Sequence, residues 1–240
     1  MIDLVKIHSY ESSKLENYIN SNLKKARITK KLGLKDNNFS KKDMQLFNLN
    51  LKVTNTNSAY IENSLHTFFN LVIKDEEQNY DDFHFCDLVF SINILEDMLN
   101  LSLEEFALEN LEFGFNIDIG SCPTKFLEEN LLMYKLKEAC VNQKNNKTLK
   151  QKVFVYQNYK IKIYDKSLEA KIKISNPNIL RIEIKYLTSK EFNKFGIFNL
   201  SDLKDLNKIN LAFDDFMKKF EKLTIVDSYK GNLNTSRTDR

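Results

Sequence analysis

Two short segments decide the fold, Lys160-Ile161-Lys162-Ile163-Tyr164-Asp165-Lys166 and Ile179-Leu180-Arg181-Ile182-Glu183-Ile184-Lys185. Both alternate apolar and polar residues, as a half-buried β-strand does, because successive side chains of a strand point to opposite faces of its sheet. Turn-forming residues lie between them, at Ser175-Asn176-Pro177-Asn178. The pattern therefore predicts two strands, each with an apolar face toward a core and a polar face on the other side.

The polar faces of these strands combine groups that suit a phosphodiester. Tyr164 shares its face with Lys162 and Lys166, and the second strand presents Arg181 beside the carboxylate of Glu183. Ammonium and guanidinium groups bind phosphate oxygens well. The other interpretation is a plain amphipathic hairpin with a solvated charged face, since any half-buried strand alternates in this way.

Length and composition describe a folded, soluble chain. The 240 residues are 42% hydrophobic and 29% charged, which is enough for a proper core. No apolar run reaches the roughly 20 residues of a membrane span, no secretory signal opens the chain, and the three cysteines are too far apart to suggest a zinc site or disulfides. We expect a cytoplasmic protein without membrane contact, with one α+β domain over residues 1–227 and a frayed tail over 228–240.

Charge is strongly separated along the chain, although the net charge is only +3. Residues 75–118 contain thirteen acidic residues and no lysine or arginine, whereas residues 141–190 contain twelve basic and three acidic residues. A further basic cluster lies within residues 24–35. Concentrated basic charge favours phosphate binding through counterion release, and concentrated acid can hold a divalent metal or simply form a solvated surface.

The rest of the pattern predicts a mixture of helices and strands. Strands are expected at 2–8, 49–55, 67–74 and 111–119. Helices are expected at 12–23, 87–100, 123–139 and 211–223, with a short helix near 201–203. Polar loops are expected at 36–43, 75–82 and 142–152. The sequence thus indicates one continuous α+β unit.

The strand over residues 111–119 has a polar face of its own. Glu112, Asn116 and Asp118 share this face, and Gly114 between them would leave room for a ligand or a backbone to approach. Carboxylate and amide oxygens are the ligands that Mg²⁺ and Mn²⁺ prefer. The alternative is an ordinary half-exposed strand with polar residues outside.

Other motifs are weaker or missing. His66 could contact a phosphate, although a lone histidine is usually structural, and the pair His84 and Cys86 lacks a third metal ligand. The motifs GxxxxGK[ST], GxGxxG, HExxH and GxSxG do not occur, which argues against a P-loop NTPase, a Rossmann enzyme, a zincin metalloprotease and an α/β-hydrolase.

Several short motifs occur in an order that resembles the gene II-type replication initiators of filamentous phages and related plasmids. These are Met1-Ile2-Asp3, Asn63-Ser64-Leu65-His66-Thr67-Phe68-Phe69-Asn70, Leu111-Glu112-Phe113-Gly114-Phe115-Asn116-Ile117, Lys162-Ile163-Tyr164-Asp165-Lys166, Leu180-Arg181-Ile182-Glu183-Ile184-Lys185 and Phe195-Gly196-Ile197. Membership would imply a rolling-circle nickase built on an antiparallel β-sheet with helices packed on one face. The tyrosine of such an enzyme attacks a DNA phosphodiester and becomes joined to the 5′ end.

The resemblance also implies roles for individual residues. Tyr164 would be the nucleophile with Lys166 beside it, and Glu112, Asn116 and Asp118 would hold Mg²⁺ or Mn²⁺. Arg181 would clamp a phosphate oxygen. The strand pattern itself adds Lys160, Lys162 and Lys185, and the lone His66, as candidates for contact with DNA. The expected partners are single-stranded or hairpin origin DNA and a host helicase or polymerase.

One departure from the family pattern leaves the activity open. Many rolling-circle enzymes hold their metal with a His-hydrophobe-His pair, which this chain lacks. Two alternatives therefore stand: an initiator that nicks and joins DNA for a phage, plasmid or integrated element, and a non-catalytic DNA-binding relative that acts in replication or its regulation.

Overall fold

The computed structural model describes residues 2–22, 26–27, 40–54, 56–140, 151–170 and 176–226. Its strands are β1 Ile2–Ser9, β2 Ala26–Arg27, β3 Ser40–Leu46, β4 Leu49–Thr54, β5 Ala59–Ser64, β6 Ala107–Asp118, β7 Leu131–Tyr134, β8 Lys137–Glu138, β9 Gln151–Val155, β10 Tyr159–Asp165, β11 Ile179–Tyr186 and β12 Leu223–Ile225. Its α-helices are α1 Ser13–Ser21, α2 Leu65–Ile73, α3 Phe85–Leu99, α4 Pro123–Glu129, α5 Lys166–Ala170, α6 Lys190–Asn193 and α7 Leu206–Phe220. The predicted tail 228–240 and most of the basic cluster at 24–35 lie outside the described residues.

Nine of these strands form one antiparallel sheet in the order β2-β3-β4-β5-β1-β6-β11-β10-β9, and β12-β7-β8 form a second, smaller sheet. The two alternating segments that contain Tyr164 and Arg181 form β10 and β11, which pair with each other. Strand β11 lies between β10 and β6. The expected α+β fold with an antiparallel sheet is therefore confirmed.

The large sheet has one apolar and one polar face. Its apolar face and the buried residues of the helices form a continuous core, in which Leu15 of α1, Ile92 of α3 and Phe216 of α7 join Ile163 and Ile182 of the sheet. The aromatic ring of Phe216 packs on that of Phe115 in β6, with ring centroids 4.7 Å apart. Since the helices cover the apolar side, the polar side of the central strands is the surface that sequence analysis singled out.

Polar residues of the three central strands stand in rows across the sheet. One row joins Asn116, Arg181 and Tyr164, because Arg181 is opposite Asn116 in β6 and opposite Tyr164 in β10. The next rows are Gly114–Glu183–Lys162 and Glu112–Lys185–Lys160. These three rows, together with the part of β1 that lies next to them, form the polar face of the sheet.

A bulge in β1 brings one more residue to the polar face. Ile2 pairs with Phe113 and Val5 with Leu111, so Asp3 and Leu4 together stand opposite the single residue between those partners. Strict alternation would have placed Asp3 on the apolar side with Val5. A bulge re-aims side chains in this way, and here it turns the Asp3 carboxylate toward β6 and β11.

Three predicted elements differ in the structure. The strand expected at 67–74 is part of helix α2, whose first turn is capped by Ser64, with the backbone N–H of Thr67 donating to its hydroxyl at 3.0 Å. The helix expected to run from 123 to 139 ends at Glu129 and is followed by the β7–β8 hairpin. Part of the loop expected at 36–43 is strand β3. Within the described ranges, no helix is both long and apolar enough to cross a membrane.

Candidate functional site

Arg181 is the centre of the polar face. Its Nη2 lies 2.5 Å from Asp3 Oδ2, its Nε donates to Glu183 Oε1 at 2.8 Å, and its Nη1 donates to Asn116 Oδ1 at 2.9 Å. The side chain is only 2% exposed. Burial alone would lower the pKa of Arg181, but Asp3 and Glu183 outweigh it and raise the pKa. Arg181 therefore binds three elements of the site together and is charged.

Gly114 makes this arrangement possible. A Cβ atom at position 114 would lie 2.5 Å from Arg181 Nη2 and 2.9 Å from its Cζ, which no real side chain tolerates. The guanidinium cannot easily move aside, since its bonds to Asp3, Glu183 and Asn116 hold it. Because Gly114 has no side chain, it leaves space for another group to approach the strand, as the sequence suggested. The Arg181 side chain occupies this space.

Tyr164 lies on the expected face but is not open to solvent. Its hydroxyl donates to Glu183 Oε1 at 2.7 Å, and the residue is 2% exposed. Lys162 Nζ stands 4.0 Å from the centroid of the tyrosine ring, and Lys166 Nζ stands 5.8 Å from it. Because Glu183 holds the hydroxyl and two lysines flank the ring, a DNA strand has no direct route to the phenol in this conformation.

Lys166 is also more buried than a solvated strand residue would be. It begins the short helix α5, is 2% exposed, and donates from Nζ to Asn79 Oδ1 at 2.8 Å. Asn79 in turn donates to Asp3 Oδ2 at 3.1 Å. The acidic loop that contains Asn79 thus packs on the polar face and links Lys166 to the Arg181 cluster.

Three carboxylates converge beside Arg181. Asp3, Glu112 and Glu183 each offer an oxygen, and these oxygens lie within 4.8 Å of one another. Burial raises the pKa of Glu112 to about 7, with repulsion from Glu183 and Asp3 adding to the effect. Burial would also raise the pKa values of Asp3 and Glu183, but Arg181 together with the other hydrogen-bonding and charged neighbours outweighs burial, so both pKa values are lowered. Even with Arg181 present, the cluster holds excess negative charge, which is the chemistry of a divalent cation site.

The structure does not bring Glu112, Asn116 and Asp118 together as one metal site. At about 3.3 Å of rise per residue, positions 112 and 118 of one strand are about 20 Å apart. Asn116 accepts from Arg181, and Asp118 is exposed, accepting from the backbone N–H of Gly120 at 2.8 Å. Glu112, Asn116 and Asp118 share one face of β6 without forming one metal site. Glu112 has Asp3 and Glu183 as its neighbours instead.

The predicted DNA-contacting residues fall into two groups. Lys160, Lys162 and Lys185 are half-buried on the polar face, with Lys162 Nζ 3.4 Å from Glu183 Oε2. Arg181 and His66 are buried. The His66 ring is 2.7 Å from Asp81 Oδ1 and stacks on Phe83 with centroids 4.7 Å apart, and burial lowers its pKa, so it has a structural role here.

A cleft of about 200 Å³ opens beside the cluster, lined among others by Asp3, Gly114, Asn116, Arg181 and Asp81. It lies between the polar face and the acidic loop at 75–82. Sequence reasoning missed Asp3 and Asn79 as members of this site. Asp3 was visible only as part of the resemblance motif Met1-Ile2-Asp3, since the bulge that turns it inward has no sequence signal.

Comparison with protein-family models and with curated proteins gave no match. Among solved structures, the chain is similar to one described as the structure of a rolling circle replication initiator protein from Geobacillus stearothermophilus. The TM-score is 0.46 at 10% sequence identity, and the match covers 97% of this chain and 89% of that chain.

Proposed function

We propose that this protein is a replication initiator of a phage, plasmid or integrated element, which binds a DNA strand across the polar face and nicks it through Tyr164. The observation that supports this most is the meeting of Tyr164, Arg181 and three carboxylates in one cluster. These groups come from β1, β6, β10 and β11, far apart in the sequence. The motif order that resembles gene II-type initiators points to the same role.

The lysines of the polar face supply the strand-binding surface. Lys160 and Lys185 stand opposite each other, and Lys162 is in the next row. A single strand that follows these rows would exchange its counterions for ammonium groups, so binding should weaken steeply with salt. The strand would thereby lie beside the Glu112 carboxylate and the cleft.

Asp3, Glu112 and Glu183 are the residues that would hold Mg²⁺ or Mn²⁺. Their carboxylate oxygens suit either ion, and the repulsion of Glu112 by Glu183 and Asp3 supports the proposal, because a bound cation would relieve it. When bound, such an ion would offset negative charge on the phosphate that is attacked.

In the nicking step the Tyr164 oxygen forms a bond to phosphorus, and the bond from phosphorus to the 3′ oxygen breaks. The phenol gives its proton to Glu183, which already accepts its hydrogen bond at 2.7 Å. The leaving 3′ oxygen takes a proton from water, so the products are a 5′-phosphotyrosine and a free 3′ hydroxyl. A phenol with a pKa of about 10 needs such a base at neutral pH.

Access to Tyr164 requires a rearrangement. Phosphates of a bound strand would attract Lys162 and Lys166 away from the ring, and Lys166 would then release Asn79 of the acidic loop. DNA binding is thus expected to come first and exposure of the hydroxyl second.

The test is formation of a covalent adduct. Wild-type protein is incubated with single-stranded origin DNA and Mg²⁺ or Mn²⁺, and the adduct is resolved on a denaturing gel. Tyr164→Phe should abolish the adduct, whereas Tyr159→Phe, at the other end of the same strand, should retain it. An adduct of undiminished yield with Tyr164→Phe would rule out Tyr164 as the nucleophile.

The second candidate function is that of a non-catalytic DNA-binding relative that acts in replication or its regulation. The burial of Tyr164 and its bond to Glu183 favour it. It predicts salt-dependent binding of single-stranded or hairpin DNA with no adduct on any DNA, with or without metal. Recruitment of a host helicase or polymerase stays a prediction from the resemblance for both candidates.

A further inference from the structure

A β-hairpin with a two-residue turn projects from the small sheet, beside the turn between β9 and β10. Tyr134 of β7 pairs with Lys137 of β8, so Lys135 and Leu136 form the turn. Both turn residues have left-handed backbones, with φ of 48° and 60°. Asparagine and glycine are the residues that favour such a turn, and a lysine and a leucine adopt it at a cost. Strain that persists at an exposed tip points to a function for the side chains it presents.

The tip presents one aliphatic side chain between two cations. Leu136 is 86% exposed, more than any other large apolar residue in the part of the chain that the structure describes. Lys135 and Lys137 on either side of it are exposed as well. A leucine flanked by ammonium groups is the composition of side chains that enter a base step while their neighbours bind the adjacent phosphates.

A stack of tyrosines supports the tip from behind. The rings of Tyr156 and Tyr159 stack with centroids 5.2 Å apart, and the hydroxyl of Tyr159 lies 3.1 Å from that of the buried Tyr134. Lys135 Nζ donates to the Tyr159 hydroxyl at 2.9 Å, and Lys135 and Lys137 each place Nζ 5.2 Å from the centroid of Tyr156. The hydroxyl of Tyr156 also donates to the Tyr134 carbonyl at 3.2 Å, which fixes the base of the hairpin to the sheet and leaves Leu136 exposed at the tip.

Strand β10 connects this hairpin to the polar face. Tyr159 begins β10, Lys160 follows it on the polar face, and Lys162 is two residues further on, next to Glu183. At about 3.3 Å per residue, the distance from Tyr159 to Lys162 is about 10 Å. Tyr159 faces the apolar side of β10 with Ile161 and Ile163, so a strand that leaves a duplex at the tip would turn over the end of β10 to reach Lys160 and Lys162 on the polar face.

We propose that the Lys135-Leu136-Lys137 tip is a wedge that contacts the end of a DNA duplex or a fork and unstacks its last base pair. This inference rests on the proposed function, since it supplies the single strand that the polar face binds. The two lysines hold the phosphates on either side, and Leu136 takes the place of the neighbouring base in the stack.

A membrane is the other surface to which a basic tip with an apolar residue could bind. One leucine buries too little apolar area for stable attachment to a bilayer, whereas a single side chain suffices to enter a base step. Lys160, which follows Tyr159 and lies on the polar side of β10, also offers a cation to a second segment of the same nucleic acid. The observations therefore favour DNA.

The test compares three DNA probes with the full chain: a single strand, a blunt duplex and a forked duplex that carries 2-aminopurine at the last base pair. Wild type should bind the fork more tightly than the single strand and raise the 2-aminopurine fluorescence. Leu136→Asn replaces the aliphatic side chain with that of asparagine, a residue that accepts the left-handed backbone. The hairpin of the variant should therefore be at least as stable as that of wild type. The variant should lose about tenfold of the fork affinity and the fluorescence rise, with unchanged single-strand affinity.

The matched control is Leu211→Gln, which removes an exposed leucine on α7 and should change none of these values. Equal fork affinity and fluorescence for wild type and Leu136→Asn, with normal single-strand binding, would overturn the wedge and leave the proposed function intact. Absence of single-strand binding by wild type would overturn both. Binding of vesicles rich in phosphatidylserine by wild type and not by Leu136→Asn, without an effect on the fork, would identify the tip as a membrane contact instead.

Discussion

The two ends of β10 carry tyrosine–lysine clusters of opposite character. At one end, Tyr164 donates its hydroxyl to Glu183, and Lys162 lies beside the same carboxylate. At the other end, Tyr159 accepts from Lys135, which belongs to an exposed hairpin. Tyr164 and Lys162 are held by a buried carboxylate in the first cluster, whereas in the second the tyrosine is buried and the lysines belong to an exposed hairpin.

The difference shows that residue type alone does not decide what a tyrosine with adjacent lysines can do. Tyr164 lies in a buried network in which Glu183 accepts its hydroxyl and Arg181 and Lys162 lie beside the same carboxylate, so its hydroxyl does not contact solvent. The Tyr159 cluster has cations at the surface and suits direct contact with phosphates. Substitutions in the first cluster should therefore affect stability, and those in the second should affect binding.

The largest effect is expected for Arg181→Met. The change leaves Asp3 and Glu183 buried without their shared partner, and breaking a buried pair in this way costs about 3–5 kcal/mol. Urea unfolding measures the loss, with Lys185→Met on the same strand and face as the control. A loss below about 1 kcal/mol would mean that the network is not the rigid cluster described here.

Gly114→Ala should follow, with a loss of about 1–3 kcal/mol, because the new methyl group would overlap the held guanidinium of Arg181. The control is Gly120→Asn, where nothing lies within 4 Å of an added Cβ and asparagine accepts the positive φ. Unfolding curves that show equal losses for the two glycines would contradict the close contact.

Glu112→Gln tests the excess charge of the carboxylate cluster. The pKa of Glu112 is raised from 4.5 to about 7, so the folded state binds this proton more tightly than the unfolded state. The resulting stability is fully present below about pH 4.5 and is lost as pH rises through about 7. In buffer free of divalent cations, the free energy of unfolding of the variant should therefore rise relative to that of wild type, by about 2 kcal/mol as the pH goes from about 5 to 8.

Chemical denaturation across this pH range gives the difference, and added Mg²⁺ should stabilise wild type more than the variant at the upper end. A difference that does not change with pH would show that Glu112 is an ordinary solvated carboxylate.

The smallest effect on stability is expected for Lys135→Gln, below about 0.5 kcal/mol, because Lys135 is an exposed residue at a hairpin tip. Its fork binding should lose about one unit of salt slope. The same substitution at Lys166, which is buried and bonded to Asn79, should cost about 1–3 kcal/mol. Equal stability losses at the two positions would remove the contrast between the clusters.

Much of the polar face follows from the two-residue period of a strand. Alternation correctly placed Tyr164 with Lys162 and Arg181 with Glu183, and it gave the right inward face for the isoleucines. It could not show which row stands opposite which, because register depends on pairing across the sheet. For this reason Glu112 was grouped along its own strand with Asp118, and its neighbours across the sheet were missed.

Other features depended on tertiary structure. The bulge that turns Asp3 inward is a local shift of register between β1 and β6. Residues 67–74 are rich in Phe, Leu, Val and Ile, and a short apolar run of this kind fits a strand or a buried helix equally well until the cap at Ser64 is seen. Burial of Tyr164 depends on the acidic loop and on Lys166, whose positions no spacing rule gives.

The central claim is that the polar face binds a DNA strand, and the salt dependence of single-strand binding tests it most directly. The logarithm of the binding constant is plotted against the logarithm of salt concentration for wild type and for the variant with Lys160→Gln, Lys162→Gln and Lys185→Gln. At about 0.7 of slope per phosphate contact, the account predicts that the variant loses about 2 units of slope. An identical slope for the two proteins would show that the strand binds elsewhere.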